Sequence, residues 1–270
     1  MKIDRQPPIG VFDSGVGGLT VLRALRLALP AEDFIYLGDT ARLPYGTKSP
    51  ETVVRYSLQC AAALLARRIR CLVVACNTAS AAALSALRVR HPALPVIGVI
   101  EPGAAAAVAA SQSQHIAVIG TEGTIGGGAY QSAIHGLNQR ARVTAAACSL
   151  FVAMAEEGWT DGPIAQAVAR RYLEPMFKND DAPDTLVLGC THFPVLTASI
   201  RTVLPGHIRI VDSAATTAAA VVRQLHNVTK TAGRGHVTWL ATDGAARFAR
   251  VGSTFLGEPL HAERIEIIDL

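Results

Sequence analysis

Two cysteines each stand between a short apolar run and residues that favour the start of a helix. Cys76 follows the run at residues 71–75, and Cys190 follows the run at residues 185–189. In α/β folds such a position is the carboxyl end of a parallel strand, where ligands and reacting groups are found. The positive end of a helix dipole stabilises a thiolate, so this position favours thiols with lowered pKa values. We therefore predict that Cys76 and Cys190 act as bases or nucleophiles.

A matched pair of thiols fits one reaction especially well. If one thiol removes a proton from one face of a carbon and the other returns a proton to the opposite face, the reaction inverts a stereocentre. One thiol must start ionised and the other protonated, and they exchange states in each turnover. A single thiol at a strand end is as often a small buried apolar residue. The prediction therefore depends on the pair and not on either cysteine alone.

Polar residues beside the thiols would serve the same reaction. Neutral donors predicted to bind the carboxylates of a substrate are Asn77, Thr78, Thr191 and the backbone amides near Ser14. Asp13 and His192 are predicted to tune the thiols or their proton transfers, because a nearby charge or hydrogen bond shifts a pKa. Each of these two also has a structural alternative, as a cap of the first helix for Asp13 and as a capping or packing residue for His192.

The elements that would position these residues alternate along the chain. Short apolar runs predict strands at residues 9–12, 34–37, 71–75, 96–99, 115–119, 142–146, 185–188, 208–211, 237–240 and 264–268. Helical patterns predict helices at residues 19–29, 51–66, 77–89, 163–177, 195–204, 214–222 and 244–251, with an alanine-rich helix after a hinge at 101–103. Repeated strand, helix, strand order favours parallel, doubly wound sheets.

Three loops after predicted strands are rich in glycine or polar residues. Residues 13–18 match neither Gly-x-Gly-x-x-Gly nor a P-loop, so they do not predict a nucleotide site. Residues 38–50 form a long polar loop whose Pro44-Tyr45-Gly46 turn predicts an ordered segment with an aromatic lid. The third loop covers residues 120–128 and ends in three glycines.

Composition excludes several classes of protein. The chain has 270 residues, of which 50% are hydrophobic, so it can bury a substantial core and is not intrinsically disordered. Five cysteines without a secretion signal or a Cys-x-x-Cys pair predict free thiols and no metal site. Residues 1–6 lack an apolar segment behind them, so we expect a cytoplasmic protein without a membrane span. Basic clusters at 67–70 and 88–91 fit helix ends better than a nucleic-acid surface.

Taken together, these segments resemble the cofactor-independent aspartate/glutamate racemase family, and within it the glutamate racemases. The matching segments are residues 12–18, 38–40, 44–46, 75–80 and 189–194. They occur in order over most of the chain, and jointly they are highly specific. The resemblance implies reversible interconversion of L- and D-glutamate without pyridoxal phosphate, metal or nucleotide, supplying D-glutamate for peptidoglycan.

The resemblance also implies a fold and a division of labour. The fold would be α/β, with two similar doubly wound, mainly parallel-sheet domains that face each other across a central active-site cleft. The first domain would comprise residues 1–99 and 210–270, and the second residues 100–209. Cys76 would serve the D-enantiomer as base and Cys190 the L-enantiomer. A homodimer is expected.

Site residues carry over from the family by position. The implied substrate contacts are Asp13, Ser14, Tyr45, Gly46, Asn77, Thr78, Thr191 and His192. Auxiliary residues would be Asp39, Thr121, Thr124 and Glu156. Residues 148–158, which contain Glu156, lack two prolines that the family usually shows there.

Two other functions fit parts of the pattern. A sibling racemase acting on aspartate or another small acid is the nearer one, since a pair of cysteines does not fix the length of the substrate. The segments at residues 13–18 and 44–46 favour glutamate. The second is a two-lobed binding protein for a dicarboxylate with two inert thiols.

Overall fold

The fold was obtained as a computed structural model, which describes residues 6–179, 181–225 and 234–270. Residues 1–5, on which the expectation of a cytoplasmic location partly rests, lie outside the described residues, as do residues 226–233 within the second segment of the predicted first domain. Across the described ranges, none of the helices combines the length and apolar character that crossing a membrane requires.

All ten predicted strands are present. They are β1 (Ile9–Asp13), β2 (Phe34–Gly38), β3 (Cys71–Val74), β4 (Val96–Gly98), β5 (His115–Gly120), β6 (Arg142–Ala147), β7 (Thr185–Gly189), β8 (Arg209–Asp212), β9 (Val237–Ala241) and β10 (Ile265–Ile267). The sheets are β10-β9-β2-β1-β3-β4 and β6-β5-β7-β8, and every pairing in them is parallel. The predicted α/β class with two parallel sheets is confirmed.

Helices connect the strands, as parallel pairing requires. They are α1 (Leu19–Ala28), α2 (Pro50–Leu65), α3 (Asn77–Arg90), α4 (Ile100–Ala110), α5 (Glu122–Gly126), α6 (Ala129–Leu137), α7 (Leu150–Glu156), α8 (Gly162–Phe177), α9 (Thr197–Val203), α10 (Ser213–Gln224) and α11 (Ala245–Leu256). Buried apolar residues cover both faces of the larger sheet, and the cluster on one face continues into the smaller sheet. The two sheets therefore share a core.

Each sheet reverses its strand order at one point, and the two points correspond. In the larger sheet β1 lies between β2 and β3, and in the smaller sheet β5 lies between β6 and β7. Ligands of open α/β sheets bind outside the carboxyl ends of strands at such a reversal. Cys76 follows β3 and Cys190 follows β7, so each cysteine lies at the reversal point of its own sheet.

The predicted hinge at residues 101–103 is wrong, because this segment lies inside α4. Pro102 occupies the first turn of that helix, where its missing N–H costs no hydrogen bond. A proline near a helix start was therefore mistaken for an interruption. The helix packs against β7, β8 and α6 and so belongs with the smaller sheet.

The strand β8 pairs with β7 and extends the smaller sheet as far as Asp212. The chain then enters α10, which packs on both α1 and α4. Sheet membership thus carries the second unit slightly beyond residue 210, where the sequence predicted the return. The division into 1–99 plus 210–270 and 100–209 otherwise stays a prediction.

The basic clusters lie near the ends of α2 and α3, where the sequence put them. Arg67 Nη2 lies 2.6 Å from Glu266 Oε1, and Arg70 Nη2 lies 2.5 Å from Glu32 Oε2. Arg88 holds both carboxylate oxygens of Glu101 at 2.7 Å. These pairs show that much of the clustered charge is used within the protein.

Candidate active site

A cavity of 280 Å³ lies where the strand ends of the two sheets meet. It brings together eleven residues that the sequence singled out: Ser14, Tyr45, Gly46, Cys76, Asn77, Thr78, Thr121, Glu156, Cys190, Thr191 and His192. Three other predicted residues, Asp13, Asp39 and Thr124, are fully buried beside the cavity and do not line it. Both thiols thus reach one small space from opposite sheets.

Cys76 caps the N-terminus of α3. Its Sγ accepts the backbone N–H of Ala79 at 3.4 Å and lies 3.6 Å from Ser14 Oγ. The sequence predicted that the helix end would lower the pKa of this thiol, yet burial raises it to about 12, with the Asp13 carboxylate adding to the increase. The hydrogen bonds with the Ala79 N–H and with Ser14 lower the pKa of Cys76, as predicted, but are outweighed. Desolvation of a thiolate is larger here than the dipole effect.

Cys190 is the first of four side chains that are joined by successive contacts. Its Sγ lies 3.8 Å from His192 Nδ1, and His192 Nε2 lies 3.1 Å from Glu156 Oε1. Glu156 Oε2 in turn accepts Arg247 Nη2 at 2.6 Å. Glu156 thus lines the cavity although the two prolines are missing, and its auxiliary role stays a prediction. Arg247 was not predicted, because a lone arginine on the C-terminal α11 carries no motif.

The charged groups around His192 favour its protonated imidazolium form. Burial by itself would lower the pKa of His192, but its hydrogen bonds with Cys190 and Glu156 raise it to about 10. The hydrogen bond with His192, and more weakly the Arg247 guanidinium, lower the pKa of Glu156 against the effect of burial. The carboxylate is therefore ionised and the imidazole protonated near neutral pH, next to the Cys190 thiol.

Asp13 ends β1 and lies behind the wall of the cavity. Its Oδ2 accepts the N–H of Gly15 at 2.9 Å. The backbone amides near Ser14 were predicted to bind a substrate carboxylate, but this amide is hydrogen-bonded within the protein. Burial raises the pKa of Asp13, and His192 and backbone donors oppose the increase. This position supports the predicted tuning of Cys76 and does not support direct contact with a substrate.

Asn77 lines the cavity and carries an unpaired donor. Its Oδ1 accepts the hydroxyl of Tyr130 at 2.8 Å, while its buried Nδ2 has no hydrogen-bond partner among the described residues. A buried N–H without a partner costs free energy, which a ligand oxygen would recover. The hydrogen bond from Tyr130, on α6, thus fixes the orientation of the Asn77 side-chain amide. The helix α6 was not predicted at all.

Three threonine hydroxyls join the two halves of the site. Thr78 Oγ1 lies 2.9 Å from Thr121 Oγ1 and 3.2 Å from Thr124 Oγ1, and the last two are 3.0 Å apart. Thr121 also caps α5 by accepting the N–H of Thr124 at 3.3 Å. The predicted auxiliary role of Thr124 is therefore one of support, while Thr78 and Thr121 reach the cavity.

The loop after β2 is ordered, as predicted, but Tyr45 is no exposed lid. Its ring is buried and its hydroxyl donates to Asp39. Asp39 also accepts Arg42 Nε at 2.7 Å and Thr242 Oγ1 at 3.0 Å. These bonds fold the loop inward and bring Gly46 to the cavity. Asp39 thus positions the loop from behind.

Close approach of the two halves requires a glycine at residue 17. A Cβ built on Gly17 would lie 2.4 Å from His192 Nδ1 and 2.5 Å from Thr191 Oγ1. Gly17 therefore packs against the other half of the site. Seven further residues line the cavity and were not predicted as site residues: Gly15, Leu43, Pro44, Thr47, Ser149, Val152 and Ala153.

In the part of the chain that the structure describes, no group of three or more His, Cys, Asp or Glu side chains could hold a metal ion. The groups available to a small ligand are two thiols, hydroxyls, an amide N–H and an imidazolium. Such a set can bind carboxylates and move protons.

Comparison with known proteins agrees with this chemistry. The glutamate racemase of Geobacter metallireducens is 52% identical over 255 residues, which cover 93% of each chain. Among solved structures, glutamate racemase RacE1 of Bacillus anthracis has a TM-score of 0.91 and 35% identity over 98% of each chain. Glutamate racemase of Francisella tularensis, in complex with D-glutamate, has a TM-score of 0.88 and 36% identity over 97% of each chain.

A family model described as Asp/Glu/hydantoin racemase matches residues 9–221. This range contains both sheet reversals and both cavity cysteines. Near-complete coverage of the relatives leaves little of either chain unmatched. The chain therefore belongs to the Asp/Glu/hydantoin racemase family and is an isomerase.

Proposed function

We propose that the protein is a glutamate racemase that interconverts L- and D-glutamate by two-base proton transfer between Cys76 and Cys190. The observation that carries this proposal is the arrival of the two thiols in one cavity from equivalent reversal points of two parallel sheets. Relatives that match nearly the full chain are named glutamate racemases, which supports glutamate over aspartate.

In the direction from L to D, the Cys190 thiolate takes the α-proton while the Cα–H electron pair stays on the substrate. The Cys76 thiol then gives its proton to the opposite face. Cys190 ends as a thiol and Cys76 as a thiolate, which is the starting state for the reverse reaction. The surroundings support this order, because the positive charge of the His192 imidazolium lies beside Cys190, whereas burial raises the pKa of Cys76.

Neutral donors would hold the substrate during this exchange. The donors would be the unpaired Nδ2 of Asn77 and the hydroxyls of Thr78, Thr121 and Thr191, all on residues that line the cavity. Hydrogen bonds to the α-carboxylate stabilise the charge that develops as the proton leaves. The substrate ammonium would also lie between the thiols, where its positive charge offsets the cost of a buried thiolate.

The wider role rests on the family resemblance. We propose that the protein works in the cytoplasm as a homodimer and supplies D-glutamate for peptidoglycan. Light scattering of the purified protein tests the dimer. Growth of a D-glutamate-requiring bacterium that expresses this chain tests the cellular role.

The first experiment follows L-glutamate in D₂O without added cofactor. Loss of optical rotation together with loss of the α-proton signal is expected, since each inversion brings in a solvent deuteron. L-Aspartate under the same conditions measures substrate choice. If glutamate keeps both its rotation and its α-proton, the proposed function is wrong. Faster turnover of aspartate would point to the sibling racemase.

Single substitutions Cys76→Ser and Cys190→Ser test the two-base mechanism. Each variant should still bind glutamate but lose about 10²- to 10⁴-fold in turnover, the range typical of a lost general base. A matched control is Cys71→Ala, which removes a buried thiol at the start of β3, the strand that Cys76 follows; Cys71 does not line the cavity. Near-native turnover in either serine variant would overturn the mechanism, as would a loss of similar size in the control.

A further inference from the structure

The chain of contacts that begins at Cys190 ends on the other half of the molecule. Glu156 and His192 belong to segments that flank the smaller sheet, whereas Arg247 lies on α11, which follows β9 of the larger sheet. The Arg247–Glu156 pair therefore spans the mouth of the site, where Glu156 lines both the main cavity and an adjoining one of 140 Å³.

The geometry assigns Arg247 a positioning role for proton transfer at Cys190, an inference that rests on the proposed function. Arg247 holds one oxygen of Glu156, and the other oxygen holds His192 Nε2, which leaves Nδ1 directed at the thiol. Without Arg247 the carboxylate can turn toward solvent and release the imidazole. The residue touches no reacting atom and acts only through Glu156.

The solvent exposure of the Arg247 side chain argues against a purely structural role for its ion pair with Glu156. The Arg247 side chain is 51% exposed, while that of Glu156 is 15% exposed. A half-exposed ion pair adds little to stability. Fixing a buried side chain within a fraction of an ångström of its reactive position, by contrast, strongly affects rate. The Arg247–Glu156 pair is therefore better suited to orient the side chains of Glu156 and His192 than to stabilise the fold.

The test compares Arg247→Gln with Arg247→Lys and with Arg250→Gln. Arg250 is an exposed arginine on the same helix that lines neither cavity. Arg247→Gln should lower kcat/KM about 10-fold with little change in thermal stability. Arg247→Lys, which keeps a cation, should recover most of that loss, and Arg250→Gln should match the wild type.

A kinetic isotope effect locates the affected step. Because the enantiomers have equal free energies, kcat/KM must fall equally in both directions for any variant. If the Cys190 step is the one slowed, α-deuterated L-glutamate should show a larger isotope effect on kcat/KM in Arg247→Gln than in wild type. Deuterated D-glutamate should show a smaller one, since its first transfer, at Cys76, becomes less rate-limiting.

The outcomes separate this inference from the proposed function. Absence of racemisation by the wild-type protein would contradict the proposed function. Racemisation by the wild type with Arg247→Gln indistinguishable from Arg250→Gln would overturn only the role of Arg247. A 10-fold loss with unchanged isotope effects for both enantiomers would also overturn it, since a general loss of folded enzyme has that signature.

Discussion

At the scale of single residues, what distinguishes the cavity thiol Cys76 is its position and not its acidity. Burial raises the pKa of Cys60, Cys71, Cys76 and Cys148 alike to about 12. Of these four, Cys76 alone lines the site cavity and contacts a helix N-terminus. Reactivity must therefore come from what the cavity adds, including the charge of a bound ammonium group.

His192 gives a testable pH dependence. Its pKa in the folded protein is raised to about 10, above the ordinary value of about 6.5. The folded state thus binds a proton that the unfolded state releases, so the stabilisation is complete below pH about 6.5 and is lost as pH rises toward 10. In urea unfolding, His192 alone should make the wild-type free energy fall between pH about 7 and 9, by at most about 1.4 kcal/mol per pH unit.

The variant His192→Gln isolates this effect, because only the slope is compared. Its free energy of unfolding should change less with pH over the same range, whatever its absolute value. The buried thiols with raised pKa values also lower stability above pH about 8.5, where the unfolded thiols ionise, but this contribution is common to both proteins and cancels when their slopes are compared. Equal slopes in the two proteins would mean that His192 is not held as an imidazolium.

At the scale of elements, the sequence was most informative where an apolar strand is followed directly by a residue of the site. Strands buried at every residue, such as β1, β2, β3 and β7, are continuous apolar runs and were therefore predictable, and the cysteines that follow β3 and β7 were found with them. The helices α5, α6 and α7 were missed because they are short and lie within or after glycine-rich or altered segments, so that α5 falls where a loop at 120–128 was predicted. Arg247 and Tyr130 were missed because their partners are distant in sequence, and only the fold brings them together.

The loop between β1 and α1 makes a prediction at this scale. Gly17→Ala should be destabilised by about 1–3 kcal/mol, the usual cost of overpacking, because its Cβ has no room beside His192 and Thr191. Turnover should fall as well, since both neighbours line the cavity. Chemical denaturation and the optical-rotation assay measure the two effects.

Gly136→Ala is the matched control for this substitution. Gly136 lies inside α6 with no atom within 4 Å of an added Cβ. Alanine there should leave turnover unchanged and stabilise the helix by about 0.5–1 kcal/mol. Should Gly17→Ala behave like Gly136→Ala, the two halves of the site do not meet at this loop as described.

At the scale of the whole molecule, the site exists only where both sheets contribute. Besides the Arg247 pair, the threonine hydroxyls and the Tyr130–Asn77 hydrogen bond cross between the halves. Each crossing contact ends on a residue that lines the cavity. Relative movement of the halves would therefore disturb substrate contacts directly, without a separate signalling element.

Tyr130→Phe tests this coupling at its most buried point. Removing the hydroxyl leaves the Asn77 carbonyl without its donor, which should cost about 1–3 kcal/mol of stability. It also frees the amide to turn, so the Nδ2 donor is no longer directed at the substrate. KM for glutamate should rise about 2- to 10-fold, equivalent to one hydrogen bond, with a smaller change in kcat.

Tyr56→Phe supplies the control, since Tyr56 packs its ring against Tyr45 and Arg42 and does not line the cavity. It should leave KM unchanged. A Tyr130→Phe variant that loses stability but keeps the wild-type KM would mean that Asn77 does not bind the substrate carboxylate. A raised KM with intact kcat would instead show that a residue of one half sets how tightly the other half holds its substrate. Binding and domain contact would then depend on the same hydrogen bond.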